Sequence, residues 1–244
     1  GKLYESVGMW RHSAVLELNP KTGEILARYP MDNSLFAEGL TYVNGKLIQL
    51  TYKENKGFIY NATDLSQKSD EFTYSTSTGE GWGLTYNPDA HELIVSDGSK
   101  YLLFWDPETF KEKRRVSVTL LSGREANNIN ELEYWRGRVI ANVWYRDILL
   151  VINPDTGRVE KEYGKNYSHA TMNVLDESGL IFRFRLLVDF TEIWSSAERT
   201  KQNADVFNGI SVSEDPDILY VTGKYWDRMF RIRYVNIHVL TTGV

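Results

Sequence analysis

A short phrase recurs along the chain: Glu38-Gly39-Leu40-Thr41-Tyr42, Trp82-Gly83-Leu84-Thr85-Tyr86, Asn130-Glu131-Leu132-Glu133-Tyr134 and Asn208-Gly209-Ile210-Ser211-Val212, at spacings of 44, 48 and 78 residues. The first two spacings are the size of a four-stranded propeller blade, and the third is a blade plus an insertion. After a short turn each phrase is followed by a second alternating run: Lys46 to Tyr52, Glu92 to Ser96, Arg138 to Trp144 and Asp217 to Lys224. These runs read as hairpin partners. Clusters of Asx, Pro, Thr and Gly then close the units at Asn19 to Gly23, Asn61 to Asp64, Asp106 to Thr109 and Asn153 to Gly157. Such clusters are turn chemistry between outer strands.

The leading segment from Lys2 to Pro30 has the second, third and fourth strands of a unit but no opening phrase. With it the chain holds five units averaging about 49 residues. The expected architecture is therefore all-β: one domain, residues 1–244, as a five-bladed β-propeller whose first blade lacks its inner strand. An insertion at about 164–187 breaks the repeat, and within it Leu180 to Leu187 reads either as an extra hairpin strand or as a segment packed on a blade face. Helical signal is confined to Thr191 to Gln202.

Composition removes several functional classes. There is no cysteine, which excludes disulfides, thiol catalysis and Cys-ligated zinc. The balance of 28 Lys+Arg against 33 Asp+Glu gives a net charge of -5, without the basic footprint of a nucleic-acid binder. No apolar run reaches the roughly 18 residues needed to cross a bilayer as a helix. His12, His91, His169 and His238 have no metal-ligand spacing, so a His-based metal site is not expected. Aromatic residues are abundant, with 15 Tyr, 10 Phe and 7 Trp, and they suit both strands and ligand-binding walls. The chain opens on Gly1 rather than Met, which reads as a processed or trimmed start.

The innermost strands of a propeller line its central channel, so equivalent repeat positions converge on one axis. The first position of the phrase holds Glu38, Trp82, Asn130 and Asn208; the position 14 residues later holds Tyr52, Ser96 and Trp144, and Lys224 follows Asn208 by 16. Differing residue types at an equivalent position are what a ligand site produces. Solvated channel residues that pack and pair for structural reasons are the competing reading.

The segments Phe36 to Thr41, Leu50 to Gly57, Gly81 to Thr85, Asn130 to Tyr134, Ala141 to Trp144, and Asn208 to Ile210 through Val221 to Trp226 resemble the plant and bacterial glutaminyl-peptide cyclotransferases. The resemblance runs from Leu3 to about Arg233 and implies a five-bladed propeller that converts an N-terminal glutamine to pyroglutamate with release of ammonia. It implies a metal-independent reaction without a cofactor, peptide or protein substrates beginning with Gln, and a secretory or extracellular, monomeric enzyme. On it Glu38 is the acid/base, Lys224 and Asn130 donate toward the amide or oxyanion oxygen, and Phe36, Tyr52, Trp82, Trp144 and Asn208 bind substrate. Trp82 and Trp144 would also offer indole N–H groups.

Two departures stand out. Tyr52 takes a position where the family carries Trp, shortening an aromatic wall. The family's Phe-Thr-Gln-Gly phrase, expected just before Lys2, is not in the chain as given; it would supply the inner strand of the first blade, a place that Tyr234 to Val244 could fill instead. Two other functions remain open: a propeller lactonase with a divalent cation held by Glu38, Asn130 and Asn208, and a non-catalytic peptide-binding propeller.

Overall fold

The computed structural model describes residues 1–164, 171–175, 181–185 and 194–233, with backbone alone for 66, 67, 171–175 and 181–185. The first blade is the sheet β1 (Leu3–Val7), β2 (Ala14–Leu18) and β3 (Ile25–Pro30). Blade two is β4 (Ala37–Val43), β5 (Lys46–Thr51), β6 (Lys56–Asn61) and β7 (Asp64–Thr73). Blade three is β8 (Leu84–Asn87), β9 (Glu92–Ser96), β10 (Tyr101–Trp105) and β11 (Glu112–Ser117). Blade four is β12 (Ile129–Trp135), β13 (Arg138–Val143), β14 (Arg146–Ile152) and β15 (Val159–Tyr163). A separate hairpin, β16 (Thr171–Leu175) with β17 (Ile181–Arg185), and helix α1 (Ser196–Lys201) precede blade five: β18 (Phe207–Val212), β19 (Ile218–Gly223) and β20 (Phe230–Arg233).

Each blade is an antiparallel meander, and the inner strands β4, β8, β12 and β18 pack successively against one another. Five apolar clusters fill the five junctions between blades. Val15 meets Leu47 and Tyr60 between blades one and two, and Leu50 meets Leu93 and Trp105 between two and three. Phe104 meets Leu132 and Leu150, and Ile140 meets Phe207 and Leu219, at the next two junctions. Leu3 and Leu16 with Tyr220 and Met229 bring blade five back onto blade one.

This stacking explains one departure from the sequence pattern. The second strands, read as alternating, are covered on both faces: β9 and almost all of β5 and β13 are buried. A strand sandwiched between two neighbouring blades has no solvent face, whereas the outer strands β3 and β11 stay largely exposed. The Asx clusters close the outer turns as expected. Asn19 Oδ1 accepts the Lys21 N–H at 2.9 Å, Asn61 that of Thr63 at 2.9 Å, Asp106 that of Thr109 at 2.8 Å, and Asn153 that of Asp155 at 3.0 Å.

In blade one, β1 packs on β4 as β9 packs on β12 and β13 on β18, which makes β1 a second strand. Among the described residues nothing pairs with its channel-side edge, and Lys2 to Met9 line the channel directly. Within the insertion, Ile181–Arg185 is a hairpin strand paired with Thr171–Leu175; residues 180, 186 and 187 lie outside the described residues, as does Tyr234 to Val244. The helix covers Ser196–Lys201 of the stretch expected from Thr191, of which 191–193 are not described. Its start follows from a capping box, Ser195 Oγ accepting from the Glu198 N–H while the Glu198 side chain bonds the Ser195 backbone N–H. Arg199, buried on this helix, grips Asp147 of β14 through two bonds of 2.9 and 2.5 Å. Among the described residues no helix is long and apolar enough to cross a membrane.

Candidate active site

The first two residues of three phrases sit in β-bulges: the register breaks between Ala37 and Leu40, Ile129 and Leu132, and Phe207 and Ile210. Bulges re-aim side chains, and here Glu38, Glu131 and Asn208, which sit in them, line the channel. The channel encloses about 1230 Å³ and is lined, among others, by Phe36, Glu38, Glu131, Trp144, Asn208 and Lys224.

Glu38 is the chemical centre of this cavity. Its side chain is 12% exposed, and Lys224 Nζ stands 4.0 Å from Glu38 Oε1. Burial raises the carboxyl to about 7, with Lys224 opposing the rise and the negative charge of Glu80 adding to it. A carboxyl balanced there can both take up and release a proton near neutral pH. Lys224 follows the end of β19, its backbone anchored to Val206, and its ammonium lies 5.8 Å from the Phe36 ring centroid.

Aromatic side chains wall the mouth. Phe36 contacts Trp10 edge-on at 5.3 Å and Tyr52 at 5.9 Å. Trp144 meets Trp82 edge-on at 5.4 Å and stacks on Tyr145 at 4.2 Å. Tyr145 and Tyr225 are exposed at 68% and 60% and hold positive φ of 61° and 58°, a conformation that costs an aromatic residue energy and clusters at functional sites.

The structure thus brings Phe36, Glu38, Trp144, Asn208 and Lys224 to the cavity, with Tyr52 and Trp82 packed against them. Asn130 is buried; its carbonyl accepts from Ser96 Oγ at 2.6 Å, and its side-chain amide has no hydrogen bond among the described residues. One expected role is corrected. The Trp82 indole N–H is not offered to the cavity, because Glu80, two residues earlier, folds back and accepts it at 2.9 Å while pairing with Lys53 at 3.3 Å. Asn208 spends its side-chain oxygen on the Glu131 backbone N–H at 3.3 Å. The aromatic residues divide in the same way: Phe104 is fully buried between blades, but Tyr42 is 56% exposed at the end of its inner strand.

Sequence reasoning passed over Glu80, Trp10, Glu131 and Glu133. Glu133 bridges two blades, accepting from Thr85 Oγ1 at 3.3 Å and from the Val212 N–H at 2.9 Å, and burial holds its carboxyl at about 7. The signal for Glu131 was available: it stands where the other phrases carry glycine. Among the described residues no group of three or more His, Cys, Asp or Glu could hold a metal ion.

Comparison with known proteins places this geometry. The family model for glutamine cyclotransferase matches residues 1–182 and 166–234. The glutaminyl-peptide cyclotransferase of Arabidopsis thaliana is 32% identical over 232 residues, covering 95% of this chain; the chain spans 63% of that relative's length. The crystal structure of Myxococcus xanthus glutaminyl cyclase superposes with a TM-score of 0.75 at 28% identity, covering 96% of this chain and 86% of that one. The recurring phrases, the five stacked blades and these matches make the chain a member of the glutamine cyclotransferase family.

Proposed function

We propose that the protein cyclises the N-terminal glutamine of peptides and proteins to pyroglutamate and releases ammonia. The observation that carries this reading is Glu38, buried at the channel mouth, balanced near neutrality and 4.0 Å from Lys224, in a chain of this family.

The reaction is intramolecular. The neutral α-amine attacks its own side-chain carbonyl carbon, a tetrahedral oxyanion forms, and the carboxamide nitrogen departs as ammonia. Holding the bent conformer captures the advantage of an intramolecular attack. Glu38 takes the proton from the attacking nitrogen and returns it to the leaving one. Lys224, and Asn130 with its uncommitted amide, supply positive charge and N–H donors to the oxyanion. Phe36, Tyr52 and Trp144 wall the glutamine side chain, Trp82 and Asn208 support that wall, and exposed Trp10 and Tyr145 extend it toward the following residues.

The same reading assigns no metal or cofactor to the reaction, one domain over residues 1–244, action as a monomer, and a place in the secretory pathway or outside the cell. The test is incubation with a Gln-initiated peptide followed by mass spectrometry. Loss of one ammonia is expected, unchanged by a chelator and strongly slowed with Glu38→Gln. An unaltered peptide rejects cyclisation, and activity abolished by chelator and restored by a divalent cation rejects the metal-free mechanism.

A further inference from the structure

Three of the four phrases carry glycine at the second position, and the reason is steric. A Cβ on Gly39 would lie 2.6 Å from the Trp82 carbonyl oxygen, one on Gly209 2.6 Å from the Thr222 methyl, and one on Gly83 would collide with the Asn130 carbonyl. The remaining phrase places Glu131 at this position, and its side chain lines the channel from within the β12 bulge.

Glu131 is held from behind. Asn208 Oδ1 accepts its backbone N–H at 3.3 Å, and Ser96 Oγ fixes the carbonyl of the preceding residue at 2.6 Å. Its carboxylate, by contrast, has only the adjacent Leu132 backbone N–H as a donor and forms no ion pair among the described residues, while Glu133, two residues on, is tied to both neighbouring blades. A positioned carboxylate held away from bulk water with one local N–H donor and no paired cation is costly to keep charged unless a ligand completes it.

We propose, on the reading of this cavity as a glutaminyl cyclase site, that Glu131 binds the substrate's cationic α-amino group and thereby makes a free N-terminus a condition of recognition. The cavity is acidic: Glu5 from β1, Glu38 from β4, Glu131 and Glu133 from β12, and Asp205 before β18 face it, against Lys224 and Lys2, the latter bound to Glu17 at 3.0 Å. Burial drives the Glu131 carboxyl well above the usual range, Glu133 and Glu38 push it further, and Lys224 pulls the other way. An incoming ammonium relieves that repulsion. Glu131 releases its proton to solvent and pairs with the ammonium; that nitrogen then gives one proton to solvent and attacks as the neutral amine, and its second proton is the one Glu38 carries to the leaving nitrogen.

The test compares a Gln-initiated peptide, by its KM, with the same peptide carrying hydrogen in place of the α-amino group, by its Ki as a competitive inhibitor. Glu131→Gln is expected to raise KM roughly 10- to 100-fold, the worth of a hydrogen bond to a charged group, and to leave Ki unchanged. Glu131→Asp, with a shorter carboxylate, should give an intermediate KM, and it carries the test if thermal unfolding shows the Gln variant misfolded. KM and Ki rising together, or neither rising, overturns the assignment of Glu131 while leaving cyclisation intact. A wild-type protein that neither cyclises nor binds the Gln peptide overturns the cyclase reading and this inference with it.

Discussion

Lys224 Nζ lies 4.0 Å from Glu38 Oε1, within the reach of charge but beyond a hydrogen bond. Each group therefore feels the other while keeping its donor or acceptor capacity for a ligand. A direct bond would have locked Glu38 as a carboxylate far below neutrality. At this separation burial outweighs the lysine, and the carboxyl settles at about 7.

Replacing Glu38 with Gln keeps the size and the hydrogen bonding of the side chain and removes the proton transfer. Cyclisation should fall on the order of 10²- to 10⁴-fold, the usual contribution of a positioned acid/base. The unfolding midpoint should hold or rise, because a buried ionisable group is replaced by a neutral one. Steady-state kinetics and thermal unfolding on the same sample check both; retained turnover removes Glu38 from its role.

The charges around Glu38 should move the acid limb of the pH profile in opposite directions. In the parent protein kcat/KM should rise with pH through about 7 as Glu38 ionises. Lys224 lowers the Glu38 pKa, so Lys224→Met should shift this limb up by about 1 unit. Glu80 raises it, so Glu80→Gln, which still accepts the Trp82 indole N–H, should shift the limb down. The substrate amine titrates at about 7.7–8.0 in all three proteins and cannot mimic the difference. Limbs that coincide would show that Glu38 is not the titrating base.

The blade period, the outer turns and the convergence of Glu38, Asn208 and Lys224 were legible in the sequence because a repeat fold turns spacing into position. Glu80 was not, because it acts through a local fold-back onto Trp82 that repeat alignment cannot see. Glu133 is a tie between blades, visible only once Thr85 and Val212 are brought beside it. Glu131 was hidden in plain view. A missing glycine acquires meaning only after the neighbouring carbonyls show why the other phrases need one.

Glu133 provides a stability test separate from catalysis. Its folded-state pKa of about 7 lies above the ordinary carboxyl value of 4.5, so the native state favours the protonated form. That contribution is complete below about pH 4.5 and is lost as pH rises through about 7. Glu133→Gln should therefore gain on the parent protein between pH 5 and pH 8, by on the order of 3 kcal/mol, or roughly 5–10 °C in Tm for a chain of this size. The difference between the two proteins cancels the other buried carboxyls. A gap independent of pH would show that Glu133 does not titrate in this range.

Gly83 joins the fold to the site at one atom. Its N–H donates to Ser96 Oγ at 2.8 Å, Ser96 donates to the Asn130 carbonyl at 2.6 Å, and a Cβ at Gly83 would strike that same carbonyl and lie 3.0 Å from the Glu131 Cα. Both atoms are backbone of the neighbouring inner strand, so relief requires blades three and four to separate. Gly83→Ala should cost about 3 kcal/mol or more, beyond the usual range for overpacking by one methyl group. It should also displace Asn130 and Glu131, lowering kcat/KM even at temperatures where the variant stays folded. Gly79→Ala is the control: its Cβ would meet nothing within 4 Å, so only its left-handed backbone, φ 77°, is penalised. Denaturant unfolding and cyclisation kinetics on the two variants separate backbone strain from collision between blades. Equal losses in both would mean that the inner strands do not depend on glycine for their close approach.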